Sequence, residues 1–213
     1  MIQFLPSLIT TAVSAVTQLA TVIGPVLSQL AVLVAELAPV VDKVMLIVQA
    51  VGDLLGVLKP GESVSVMGEK ATQSNKKPDD FTRYSDYIDH LRQEVPLDKE
   101  KFDNASDVDK LIRAAVGTAV VIKTIEEHKG FEIPLNAWTA LATMGFEGKS
   151  GKEVGAVIGA FKGDFTTLSE YAKGELSVKK DIETTSVLES MYKELEPNSS
   201  GAEIKEKVTQ LVG

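Results

Sequence analysis

The sequence predicts an all-α fold, with a long N-terminal oligomeric coiled-coil helix followed by a compact multi-helix domain. Three observations predict it. Apolar residues repeat with a heptad period from residue 5 to residue 58. Charge is confined almost wholly to the remainder of the chain. Residues 80–213 then carry one helix cap after another. The expected organisation is an apolar coiled-coil helix over 1–59, a linker over 60–79 and a helical domain over 80–213.

The heptad signal is read by stepping alternately four and three residues from Leu5. The positions reached are Leu5, Ile9, Ala12, Val16, Leu19, Ile23, Val26, Leu30, Leu33, Leu37, Val40, Val44, Ile47, Val51, Leu54 and Leu58, and all are apolar. An unbroken repeat of this period implies a left-handed supercoil. The next position of each heptad (Val13, Ala20, Leu27, Val34, Val41, Val48, Leu55) is apolar too. A two-stranded coil needs only a narrow seam, so this wider stripe predicts self-association in three or more copies, with those heptad positions as the interface. Pro25 and Pro39 fall on the outer face, where each removes one backbone hydrogen bond and bends the helix. Unbroken from Pro6 to Leu58, the helix would be roughly 80 Å long at about 1.5 Å per residue.

Two other readings of this stretch stay open. One is a membrane-inserting segment, with Glu36, Asp42 and Lys43 turned inward. The other is a core helix packed within its own subunit. A secretory signal peptide needs a basic leading region, whereas the first basic residue here is Lys43, so none is expected.

Residues 60–79 begin with Pro60-Gly61, which stops a helix, and are rich in Ser, Lys, Gly and Asp. They read as a flexible joint. "SVSV" within them alternates as a short strand would.

Helices follow from Asp79 onward. Phe81, Tyr84, Ile88 and Leu91 share one face of the first. Ser106 caps a second helix with Asp109 three residues on, and Gly130 closes it. Pro134 opens a third, which carries Trp138, expected in the core. Ser150 with Glu153 caps a fourth, one more spans 181–196, and Ser200 with Glu203 caps the last. About six helices of this kind make an ordinary α-domain.

Composition excludes several chemistries. The net charge of −8 over 213 residues gives no direct nucleic-acid signal, since phosphate neutralisation needs clustered Lys and Arg. No Cys is present, so neither disulfides nor thiolate catalysis arise. His90 and His128 are the only imidazoles, too few for a His-rich metal site. "GFEGKS", residues 145–150, lacks the first glycine of a phosphate loop, because Thr143 occupies its position and the segment before it reads as helix. It reads as a helix–turn–helix junction. "DNASDVD", residues 103–109, lacks the glycine and distal glutamate of a calcium loop and reads as an acidic helix start. No catalytic residue, cofactor site or metal site is expected. Gly151, Gly155, Gly159 and Gly163 recur every four residues and predict close approach of another helix.

A charge-poor apolar bundle with Thr, Ser and Gln on its outer face suits the bore of a tube. In the heptad run Leu5–Leu58, with its Gly and Pro interruptions, the chain resembles the tape-measure and tail-tip proteins of phage tails and related contractile particles. The resemblance implies a non-enzymatic structural role in a virion or extracellular particle. There the chain would fill or plug a delivery conduit, with other structural proteins of the particle as neighbours and a target membrane as a further partner. Two alternatives stand beside it: a pore-forming helical protein, and a cytoplasmic or membrane-associated scaffold that displays its helical domain to a partner.

Overall fold

The computed structural model describes residues 6–211. Thirteen α-helices and no strand are found among them, so the expected all-α class holds. The architecture is organised around one helix, α8 (Asp107–Lys129). Every residue from Arg113 to Ile122 in it is buried. A helix buried on all sides belongs at the centre of a bundle, and the helices packed on it all precede it in the chain.

The N-terminal heptad run forms four helices rather than one: α1 (Pro6–Gln18), α2 (Ala20–Ile23), α3 (Pro25–Glu36) and α4 (Val41–Leu54). The expected continuous coiled-coil helix is therefore not present. The breaks have local causes. Gly24 takes φ +78°, open to glycine at no steric cost. Pro25 then supplies the preset φ of a helix start. Pro39 lies in the turn Leu37–Val40 between α3 and α4. Prolines expected to bend one helix instead mark the ends of several. The chain doubles back at Gly24-Pro25, where α1 packs on α3, and α1, α3 and α4 all pack on α8. Ser28 fastens α3 to α1 by donating its hydroxyl to the Val16 carbonyl at 3.1 Å.

The expected linker also contains a helix, α5 (Val64–Gln73). Ser63 caps it by accepting from the Val66 amide. Val64, Met67 and Ala71 are buried, an i, i+3, i+7 stripe hidden among polar residues. The α5–α8 crossing is unusually close. A Cβ on Gly68 would lie 1.9 Å from the Arg113 carbonyl oxygen, and one on Gly117 2.0 Å from that of Val64. The expected boundaries at 59 and 79 thus do not divide the core. One hydrophobic cluster runs from Ala12 to Leu211.

The rest of the chain packs on α5, α8 and α4 and on itself. Helix α6 (Tyr84–Glu94) packs on α5 and α8. Helix α7 (Lys99–Asp103) is a short turn with no buried residue. Helix α9 (Leu135–Thr143) carries Trp138, fully buried, with its indole N–H donating to the Ile133 carbonyl at 3.3 Å. The single helix expected to follow the Ser150 cap is two, α10 (Gly151–Ala160) and α11 (Phe165–Ala172), parted around Gly163 at φ +89°. Helices α12 (Val178–Leu195) and α13 (Gly201–Thr209) complete the fold. Ser106, Ser150 and Ser200 all cap as expected, and Gly130 takes the left-handed C-cap at φ +70°.

Candidate assembly surface

The predicted interface positions divide by helix. Ala12 and Val16 on α1, Ile23 on α2, Val44, Ile47 and Val51 on α4, and Leu58 beyond it are at most 2% exposed. They are spent inside their own subunit, which corrects their expected place between copies. The period was real, but its partner is α8 and its neighbours. Ile9, Leu19, Leu30, Leu37 and Val40 are half-buried. Leu5 lies outside the described residues.

Helix α3 uses a different face from α1 and α4. Its buried stripe is Leu27, Ala31, Val34 and Ala35, one position round from the heptad line. That rotation turns the heptad line itself outward. Val26 and Leu33 are 47% and 48% exposed, with Leu30 and Leu37 half-buried beside them. On α4, Leu46 and Leu54 are 49% and 52% exposed. No charged residue precedes Glu36, so the outer surface of α1–α3 is apolar or carries hydroxyl and amide groups up to Glu36, the exposed last residue of α3. Thr10, Thr11 and Thr17 turn their hydroxyl hydrogens back onto helix carbonyls at 2.8–3.0 Å.

The glycine stripe meets a neighbour at one end only. A Cβ on Gly151 would lie 2.0 Å from the Ala50 carbonyl oxygen, so α10 and α4 touch there. Gly155 faces the end of Leu54, at an ordinary 3.7 Å for such a Cβ. Gly159 faces open space, and Gly163 lies beyond the helix. Lys43 reaches across from α4 to Glu147 at 2.7 Å, and this hydrogen bond holds the Glu147 carboxyl below the usual range. "GFEGKS" is the expected junction: a left-handed Gly145, a 3₁₀ turn over Phe146–Gly148 and the Ser150 cap.

The imidazoles show no catalytic arrangement. His90 Nε2 lies 3.3 Å from Ser74 Oγ, a pairing the sequence spacing did not suggest. The Ser74 hydroxyl is already committed, donating to the Lys76 carbonyl at 2.7 Å. His128 is exposed in the last turn of α8. In "DNASDVD" the acids serve the helix start, where the Asp109 amide donates to Ser106. No cluster of three metal-ligating side chains occurs among the described residues. None of the described helices is long and apolar enough to cross a membrane.

Sequence reasoning missed one buried polar pair. Glu69 on α5 and Arg113 on α8 are 6% and 4% exposed and meet at 3.2 Å. Their signal was present as single charges inside apolar stripes, but α5 was read as linker, so Glu69 had no helix to be buried on. Comparison with family models, curated proteins and solved structures found no match to this chain. Its function is therefore argued from its own residues.

Proposed function

We propose that the protein is a non-enzymatic assembly component that associates with further copies of itself through the outward line of α3. The observation that carries this reading is exposure combined with neutrality. Val26 and Leu33 stand about half exposed on a stretch with no charged side chain before Glu36. Copies of a chain of net charge −8 repel one another. Along residues 6–35 two copies meet without bringing carboxylates together, and apolar area leaves water. A place in a phage-like tail or conduit, beside other structural proteins, belongs to the same proposal and rests on the sequence resemblance alone.

Sedimentation velocity without detergent tests the assembly. The expected result is concentration-dependent association that Val26→Glu with Leu33→Glu abolishes, while the helical circular dichroism and the melting temperature stay near wild type. A wild-type chain that stays monomeric through the high micromolar range overturns it. A monomer that releases dye from liposomes transfers the neutral surface to the membrane-inserting reading.

A further inference from the structure

A crevice of about 530 Å³ opens where the end of α1 meets α5, α7 and the start of α8. That volume falls in the range of small-molecule sites. Its apolar wall is Ala15, Leu19 and Ile112, and its polar lining includes Arg113, Glu69, Lys101 and Asp109. We propose that this crevice binds a small organic carboxylate, with the acid group held by Arg113 and Lys101 and an apolar body laid against Leu19 and Ile112.

The argument starts from Arg113. Its Nη1 donates to the Phe102 carbonyl at 2.8 Å, and its guanidinium lies 4.2 Å from the centre of the Phe102 ring. Nη2 approaches Glu69 Oε2 at 3.2 Å. Nε, buried, has no hydrogen-bond partner. Nε and Nη2 form the guanidinium edge that takes a carboxylate bidentately. Here that edge holds one oxygen at one nitrogen, and a buried N–H is left unmade. A buried ion pair is weak evidence of stabilisation, since apolar residues in its place are often as stable.

The lining acids are already engaged. Glu69 Oε1 accepts from Gln73 at 2.6 Å and Oε2 faces Arg113. Asp109 Oδ2 accepts the Ser106 hydroxyl at 2.7 Å. Lys101 makes no ion pair among the described residues and stands on α7, the helix that Arg113 fastens through Phe102. A carboxylate entering beside Lys101 gives the free cation a partner and ties α7 to the core, and it reaches the sealed Nε edge of Arg113 as Glu69 swings away.

Isothermal titration calorimetry with octanoate, octanol and inorganic phosphate tests the site in the full chain. Octanoate is expected to bind saturably at one site, at least about tenfold tighter than octanol, the worth of one charge-assisted contact. Phosphate alone is expected to bind weakly. Arg113→Met and Lys101→Ala are each expected to lose that advantage, and Ile112→Trp is expected to close the crevice. Equal affinity for octanol, or octanoate binding that survives Ile112→Trp, overturns the proposal. Should Arg113→Met fail to fold, Lys101→Ala and Ile112→Trp decide it, and neither touches the α3 surface on which self-association depends.

Discussion

At the residue scale the glycines separate by what a methyl group would meet. Gly117→Ala drives its Cβ into the Val64 carbonyl, and backbone cannot yield as a flexible side chain does. The expected cost is about 3 kcal/mol or more, read from the urea midpoint of unfolding. Gly159→Ala meets open space on a helix and is expected to stabilise by up to about 1 kcal/mol. The regular spacing of the glycines on α10 was legible in the sequence, yet it promised one partner along the whole stripe. The closer crossing, Gly68 against Gly117, was not legible. Each glycine is isolated in its own helix, and only the tertiary fold brings the two together.

Element by element, the caps were the most legible feature. A serine side chain at a helix start acts within three residues, so Ser106, Ser150 and Ser200 needed no tertiary information. The breaks in the N-terminal run were harder to read. A heptad pattern reports that a stripe is buried, but not whether the cover is another copy or the same chain. Gly24-Pro25 and the Pro39 turn decided it, because each ends a helix and lets the chain change direction. Helix α5 was hidden by its polar composition, though Ser63 and the spacing of Val64, Met67 and Ala71 were there to be read. The Lys43–Glu147 pair gives this scale its pH dependence. The carboxyl is held below its ordinary value in the fold. It therefore contributes stability at neutral pH, and that contribution is lost as pH falls through the ordinary glutamate value of 4.5 towards the lower folded one. With side chains 47% and 27% exposed, the loss stays below about 1 kcal/mol. Lys43→Met is expected to remove this pair's share of the acid loss, measured by urea unfolding across pH, while Glu62 and Glu196, also held below their ordinary values, keep theirs.

For the whole molecule, two substitutions in the same apolar run are expected to part company. Val51 is fully buried on α4, so Val51→Asp places an unpaired charge in the shared core and is expected to cost more than about 4 kcal/mol. Leu33→Glu, on the outward line of α3, is expected to leave the melting temperature within a few degrees of wild type while weakening self-association. Equal unfolding by both would mean that α3 is covered in the folded subunit.

The position of α8 has a consequence for synthesis. Four of the helices that sheathe it (α1, α3, α4 and α5) are made first, and until Lys129 has been added they have nothing complete to close around. Ribosome-bound chains arrested before that residue are expected to be cut readily by protease within 6–73, and chains arrested after α8 has emerged to resist it. The most water-averse part of this protein thus spends its first seconds waiting for a companion that the ribosome has yet to deliver.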